Sequence, residues 1–373
     1  MSDVSPLLRV EQLRVEFRTE DGVVHAVDGV TYEVGAGRTL AIVGESGSGK
    51  TVTSLTTLGL TRTQGAQVSG RILFEGKDLV MLSDREMRAI RGNDIAMIFQ
   101  DPLSSLHPFF KVGAQLIEAV RVHQDVSKAQ ARAHAIELLG LVGIPDPSRR
   151  VDEYPHEFSG GMRQRAMIAM ALANEPKLLI ADEPTTALDV TVQAQILALL
   201  DRLQRELGMA ILIITHDLGV VAEMADDIAV MYAGRIVETA SAKLLFAGPE
   251  HPYTWGLLKS IPSLTSTRKE QLVPIPGTPP SLINRPSGCR FHPRCPYAQP
   301  DHARIDPQLQ PIPGEPTHHV ACLLEPDVRR RLWHELRAGR TPAQACESVG
   351  LQAWQEELTS AVETVGGVPE VGL

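Results

Sequence analysis

The segment that decides the fold is TLAIVGESGSGKT, at residues 39–51. Its first five residues form an apolar run typical of a strand buried on both faces of a sheet. The following G-x-x-x-x-G-K-T pattern lets backbone N–H groups turn toward phosphate oxygens, with the positive end of the next helix behind them. The lysine of this pattern reaches the outer phosphates, and its threonine hydroxyl suits Mg²⁺. The sequence therefore predicts a phosphate-binding loop made of Gly44, Glu45, Ser46, Gly47, Ser48, Gly49, Lys50, Thr51 and Val52.

Two later apolar runs predict further strands of the same sheet. They are KLLIAD at residues 177–182 and AILIIT at residues 210–215. Helical patterns separate them, one beginning after Ser127 as a candidate N-cap and another spanning residues 191–207. Upstream, residues 7–34 alternate apolar and polar side chains, which predicts antiparallel strands. The fold class is therefore α/β, with a largely parallel core sheet and an antiparallel N-terminal part.

Two carboxylates, Asp182 and Glu183, follow the second of these strands. The carboxyl end of a strand is where α/β sheets present their ligand sites. Asp182 is suited to hold Mg²⁺, and Glu183 to orient and polarise an attacking water. The alternative is a solvated acidic start to the next loop. The phosphate-binding loop elsewhere in the chain favours the catalytic interpretation.

The stretch FSGGMRQR at residues 158–165 offers a hydroxyl, from Ser159, and bare N–H groups, from Gly160 and Gly161, at a helix start. Alone, it indicates an ordinary N-cap. Taken together with the other motifs of the chain, it resembles the signature motif of ABC ATPases. Phe158 stands in place of the usual leucine, and Met162 in place of the usual glutamine. Three more motifs of that family have counterparts: its Q-loop at Gln100, its D-loop at residues 187–189 and its switch histidine at His216.

The resemblance covers residues 7–325 and is closest to the ATPases of oligopeptide and dipeptide importers. The supporting stretches are FQDPLSSLHP, HPYTWGLLKSIP and PIPGTPPSL. It implies an ABC nucleotide-binding domain at residues 1–240, with a helical subdomain at about 83–172. A small loop-rich C-terminal extension would follow at 241–326, where prolines are frequent, and a helical tail at 327–373.

The resemblance also implies ATP and Mg²⁺ as ligands and assigns residue roles. Catalysis would fall to Glu183, His216, Gln100 and Lys50, while Thr51, Gln100 and Asp182 would serve Mg²⁺. The signature residues of one subunit and its Asp189 would close over ATP held by another subunit. Adenine would stack on an aromatic residue upstream of the loop, for which Phe17 is the candidate, although a strand-core role is the alternative.

The implied partners are two membrane-spanning permease subunits, a related second ATPase in a heterodimer and, indirectly, an extracytoplasmic solute-binding protein. The expected location is the cytoplasmic face of the membrane, because the sequence has no apolar run of about 18 residues and no secretory signal. The net charge of -9 argues against nucleic acid as a partner. The alternatives are import of nickel or another small solute, or a soluble ABC ATPase outside transport.

All four cysteines lie in the last third of the chain, and three of them precede the tail. In peptide-importer ATPases a similar extension carries four cysteines that hold an iron–sulfur cluster. Here a histidine stands at the third of those positions, so the candidate ligands are Cys289, Cys295, His302 and Cys322. Three interpretations stay open: a [4Fe–4S] cluster, a Cys₃His zinc site, or buried thiols without a metal.

Overall fold

The computed structural model of the chain describes residues 5–101, 105–186, 188–260 and 275–351. The chain forms two compact units, residues 1–235 and 236–373. The sequence predicted a domain boundary near residue 240, and the two compact units divide after residue 235. Residues 352–365, which were expected to complete a tail helix, lie outside the described residues.

The N-terminal unit contains an antiparallel sheet and a parallel sheet, as the alternating and apolar runs predict. The antiparallel sheet has the strand order β2-β1-β4-β5, and the parallel sheet has the order β9-β3-β8-β7-β6. The strands are β1 (Leu8–Thr19), β2 (Gly22–Val34), β3 (Thr39–Val43), β4 (Gln67–Phe74), β5 (Lys77–Asp78), β6 (Ile95–Ile98), β7 (Leu178–Asp182), β8 (Ala210–Thr215) and β9 (Asp227–Tyr232).

The core of the parallel sheet is formed by β3, β7 and β8, in which every residue is buried. Strand β8 lies between the other two, with Val43 opposite Thr215 and Asp182 opposite Ile214. All three strands therefore end at the same edge of the sheet. This register brings the phosphate-binding loop and the two carboxylates to one place, although more than a hundred residues separate them in sequence.

Helices cover the sheet and form the helical part of the N-terminal unit. Ser127 caps its helix as predicted: its Oγ accepts from Gln130 N at 3.3 Å, and Gln130 Oε1 accepts from Ser127 N at 3.0 Å. The described helices of this unit are α1 (Lys50–Thr57), α2 (Asp84–Ile90), α3 (Val112–Arg121), α4 (Lys128–Leu141), α5 (Pro147–Arg150), α6 (Gly160–Ala171), α7 (Val190–Leu207) and α8 (Leu218–Met224).

The C-terminal unit is rich in loops, as its prolines predict, and has a small antiparallel sheet of order β11-β12-β10. Among the residues that the structure describes, no helix is both long and apolar enough to cross a bilayer. The elements of this unit are β10 (Arg235–Ser241), α9 (Ala242–Ala247), α10 (Pro252–Lys259), β11 (Gln310–Ile312), β12 (Glu315–Val320), α11 (Pro326–Arg337) and α12 (Pro342–Val349).

Candidate nucleotide site

The predicted phosphate-binding loop connects β3 to α1, and its backbone requires glycine. Gly49 caps α1 with φ at 100°, a conformation that residues with a Cβ rarely adopt. A Cβ at this position would lie 2.2 Å from the carbonyl oxygen of Ala26 in β2. Gly47, with φ at 76°, makes a second left-handed turn in the same loop. The loop is thus held close against a neighbouring strand while its backbone curls around the start of α1.

The Lys50 ammonium group lies inside the phosphate-binding loop. Its Nζ donates to the carbonyl oxygens of Gly44 at 2.7 Å and Glu45 at 3.0 Å, and the residue is 5 % exposed. Burial lowers the pKa of Lys50, and the nearby carboxylates of Glu183 and Asp182 oppose that shift. The lysine is therefore a buried cation that faces two acids, which suits it to bind an anionic ligand.

Thr51 and Asp182 meet across the sheet edge. The Thr51 hydroxyl donates to Asp182 Oδ1 at 3.2 Å. Burial, assisted by the charge of Glu183, raises the pKa of Asp182 to about 6, although the Thr51 hydrogen bond and the Lys50 charge oppose the shift. A hydroxyl and a carboxylate side by side are hard oxygen donors of the type Mg²⁺ prefers. The residues present therefore fit the predicted magnesium ion.

Glu183 is the centre of a hydrogen-bonded cluster. Its Oε2 accepts from Gln100 Nε2 at 2.8 Å and from Thr186 Oγ1 at 2.9 Å, and its Oε1 lies 3.1 Å from His216 Nδ1. Burial acts to raise the pKa of Glu183, but the hydrogen bonds from His216 and Thr186 outweigh it, so this pKa lies below its usual value. The carboxyl is therefore held ionised, which a proton acceptor requires.

The backbone at Glu183 is also unusual. Its φ is 46°, in the left-handed region, and its N–H donates to Ile214 O at 2.8 Å. Strained backbone of this kind persists only where surrounding contacts enforce it. Here the backbone is bonded to β8, and the side chain contacts Gln100 and His216. The structure thus brings together three of the four residues predicted to be catalytic, with Lys50 close enough for its charge to act on Glu183.

The signature residues Ser159, Gly160 and Gly161 lie at the start of α6. Ser159 is the N-cap, and its Oγ accepts from Met162 N at 3.3 Å. Ser159 and Gly160 are exposed, and Gly161 is half-buried with Val192 beside it. The N-cap interpretation therefore describes this chain, while contact with nucleotide on another subunit stays a prediction.

Asp189 is the N-cap of α7, where its Oδ1 accepts from Val192 N at 2.9 Å. The residue is exposed, and Ala187 of the same predicted loop lies outside the described residues. Phe17 is half-buried in β1 opposite Val24, so it is not a core residue of the strand. Stacking of adenine on its ring stays a prediction.

Two residues of the site were missed by sequence reasoning. Gln164, 2 % exposed, donates from Nε2 to the carbonyl oxygen of Pro184 at 2.6 Å and so ties α6 to the turn that follows Glu183. Thr186 donates to Glu183 itself. The sequence around either residue does not indicate this role, because a glutamine inside a helix and a threonine in a turn are common. Only the fold brings the two side chains to the turn at Glu183.

The predicted metal site on the C-terminal cysteines is not supported. No group of three or more His, Cys, Asp or Glu side chains suited to a metal ion occurs among the described residues, which include Cys289, Cys295, His302 and Cys322. The His302 ring is engaged locally, because its Nδ1 accepts from Gln299 N at 3.2 Å. None of these cysteines forms a disulfide.

The three thiols lie in surroundings that favour their neutral form. Burial raises the pKa of Cys289 and Cys295, and raises that of Cys322 to about 12. In the absence of a bound metal ion, the neutral thiol is therefore the favoured form at all three. A metal site at these residues is therefore not supported, and the three interpretations of the cysteines stay predictions.

Residues 27–186 match the ABC transporter family, and residues 237–301 match the oligopeptide/dipeptide transporter C-terminal region. The chain is 54 % identical to the oligopeptide transport ATP-binding protein OppD of Bacillus subtilis over 88 % of this chain and 92 % of the relative. It is 52 % identical to the dipeptide transport ATP-binding protein DppD of Escherichia coli over 78 % of this chain and 89 % of the relative.

Solved ABC cassettes share the fold. One is the ATP-binding cassette MJ0796, a dimer in a post-hydrolysis state with ADP and Pi (25 % identity, TM-score 0.56, 63 % of this chain and 98 % of that chain). Another is cbiO1 of Clostridium perfringens, part of a cbiONQ transporter complex (32 % identity, TM-score 0.55, 65 % and 91 %). The sequence match to both regions and to full-length relatives, together with the geometry at Glu183, leads to one conclusion: the chain belongs to the oligopeptide/dipeptide branch of the ABC transporter ATP-binding family.

Proposed function

We propose that this ATPase uses ATP hydrolysis to energise the import of peptides through separate membrane-spanning subunits. The observation that carries the proposal is the cluster around Glu183. Its carboxylate is kept ionised, contacts both Gln100 and His216, and lies near the buried Lys50. An ATP-binding protein without hydrolytic activity would not need a proton acceptor placed in this way.

In the proposed mechanism the loop N–H groups and Lys50 bind the triphosphate. Lys50 Nζ exchanges its present acceptors, the carbonyl oxygens of Gly44 and Glu45, for phosphate oxygens. Thr51 and Asp182 would hold Mg²⁺, which when bound offsets the negative charge on the phosphates. Glu183 orients the attacking water and accepts its proton, and this requires Oε2 to be released from Gln100. His216 holds the other carboxylate oxygen and steadies the water.

The proposal includes closure over ATP by a second ATPase subunit. Its support is that the signature residues Ser159 and Gly160 are exposed at the start of α6 and make only local contacts there. Asp189 is exposed as well, and the neighbouring Val190, an apolar residue, is 83 % exposed. Exposed groups of this kind are available for contact with a second protein. We propose that the partner is a related ATPase, in a heterodimer.

Peptides are the proposed solute because the C-terminal region of the chain and the relatives of the chain point to one branch of transporters. The C-terminal match, at residues 237–301, is to the oligopeptide/dipeptide transporter C-terminal region. Relatives that are more than half identical are named for transport of oligopeptides and dipeptides. Two permease subunits and an extracytoplasmic solute-binding protein are the remaining proposed partners, with this subunit at the cytoplasmic face of the membrane.

Uptake measurements test this proposal. Cells that lack the gene should lose accumulation of a radiolabelled tripeptide and recover it with the wild-type chain. The variant Glu183→Gln should not restore uptake, although the amide keeps a hydrogen-bond acceptor for Gln100. Accumulation of nickel, measured in the same cells, should not depend on the gene. Unchanged peptide uptake in the deletion, or a loss of nickel uptake alone, would overturn the assignment of the solute.

A further inference from the structure

The ring of His216 lies mostly in solvent. Its side chain is 61 % exposed, and its Nδ1 lies 3.1 Å from Glu183 Oε1. His216 follows β8 directly, in the turn at residues 216–217 that joins this strand to α8. A side chain with little packing keeps a precise position only if the backbone that carries it is fixed by neighbouring groups. The contacts of this turn therefore decide where the ring lies.

Asp217, the second residue of the turn, holds it from both sides. Its N–H donates to Thr215 Oγ1 at 2.9 Å, and its Oδ1 accepts from Gly219 N at 2.8 Å as the N-cap of α8. The other carboxylate oxygen, Oδ2, takes no part in the cap and accepts instead from Gln193 Nε2 at 3.0 Å. One carboxylate thus ties the turn both to the helix that follows it and to a different helix, α7.

Gln193 lies near the start of α7, and its position is fixed by that helix. Its N–H donates to Asp189 O at 2.8 Å, and the Asp189 carboxylate caps the helix by accepting from Val192 N at 2.9 Å. The helix is 18 residues long, and its buried face includes Leu200 and Leu203. A side chain on a packed and capped helix is a more rigid support than one on a loop. Gln193 therefore anchors the turn to a firm part of the fold.

The hydrogen bond between Gln193 and Asp217 has a fixed direction. Asp217 accepts at both carboxylate oxygens, so the amide nitrogen of Gln193, and not its amide oxygen, must face it. Hydrogen bonds with a charged acceptor are the stronger kind in proteins. An isosteric carboxylate in place of the amide would replace this attraction by a repulsion between like charges and keep the shape of the side chain.

From these contacts we propose that Gln193 is a positioning residue for ATP hydrolysis. Through Asp217 it holds the turn that keeps the His216 ring beside Glu183. The inference rests on the hydrolytic role proposed above for this cluster. In the described part of the chain, no hydrogen bond joins Gln193 to Glu183 or to Lys50. Loss of the Gln193 contact should therefore slow turnover and leave ATP binding intact.

The test is the ATPase activity of the complex that is affinity-purified from membranes through this chain. Gln193→Glu should lower kcat about tenfold, because displacement of a catalytic group by about 1 Å can cost up to a hundredfold, and should keep the KM for ATP within about twofold. The further change Asp217→Asn should restore most of the lost kcat. Its amide can donate to the carboxylate introduced at position 193, which rebuilds the hydrogen bond in the opposite direction, and asparagine is also a good N-cap.

Gln195→Glu is the matched control. Gln195 lies on the same helix, but its partner is Arg165 of α6, whose Nη2 donates to Gln195 Oε1 at 3.3 Å. This variant should keep the kcat of the wild type. The positioning role is overturned if Gln193→Glu turns over as fast as the wild type, if it loses ATP affinity instead of kcat, or if Asp217→Asn does not reverse its defect. A wild-type complex without ATPase activity would refute the proposed function itself.

Discussion

A buried histidine in the C-terminal unit should make that unit less stable as the pH falls. His251 is 1 % exposed and caps helix α10, where its Nδ1 accepts from Tyr253 N at 3.1 Å. Burial lowers the pKa of His251 from 6.5 to about 4; the charge of Glu238 opposes the shift, and that of Arg329 adds to it. The neutral ring is therefore the form that the fold accommodates.

The sign and size of the effect follow from this shift. Because the pKa of His251 is lower in the folded chain than in the unfolded chain, unfolding takes up a proton as the solution becomes acid. The contribution is fully present above the unfolded pKa of 6.5 and is lost as the pH falls toward about 4. Each unit of pKa difference corresponds to about 1.4 kcal/mol, so the free energy of unfolding should fall by about 2 kcal/mol between about pH 7 and pH 4.5 from this group.

The variant His251→Asn isolates that contribution, because asparagine is also a good N-cap but does not titrate. Urea unfolding can be followed by tryptophan fluorescence, which reports this unit because all three tryptophans lie after residue 236. The acid-dependent loss should be about 2 kcal/mol smaller in the variant than in the wild type. His334→Asn, which removes a ring whose side chain is 83 % exposed, is the control. Parallel pH curves for wild type and His251→Asn would refute the reasoning.

Three further changes have distinct expected outcomes. Gly49→Ala places a Cβ 2.2 Å from Ala26 O and should abolish ATP binding while leaving the unfolding of the C-terminal unit unchanged; retained binding would contradict the loop geometry. Phe17→Ala should weaken ATP binding about tenfold through loss of stacking, and Phe17→Tyr should not, as a fluorescent-nucleotide titration would measure. Gln164→Leu leaves the buried Pro184 carbonyl without its partner and should destabilise the N-terminal unit by about 1–3 kcal/mol in urea, and no change would count against that contact.

The sequence predicted the parts of the fold that local pattern determines. Apolar runs mark β3, β7 and β8 because strands buried on both faces need no alternation, and the glycine pattern marks the loop because only glycine allows its backbone. The capping box at Ser127 is similarly local. These features depend on neighbours within a few residues, so one sequence is enough to find them.

What the sequence could not supply depends on contacts between distant residues. The hydrogen bond between Gln100 and Glu183 joins residues 83 positions apart, and Gln164 reaches Pro184 only because α6 packs beside that turn. The metal site predicted from the cysteine spacing is not supported by the described residues, because it too depends on contacts between distant residues. Spacing alone does not reveal that the His302 ring serves a local turn and that the thiols favour their neutral form.

The central claim is that a nucleoside triphosphate binds at a single edge of the sheet. The phosphate-binding loop with its lysine and the two carboxylates form this site. Calorimetric titration of the purified full-length chain with Mg·ATP tests it most directly, with Lys50→Met as the matched variant. The account predicts saturable binding by the wild type that weakens about tenfold or more in Lys50→Met, because a charged hydrogen-bond donor to phosphate is removed. Absence of binding by the wild type, or equal affinity in the variant, would contradict it.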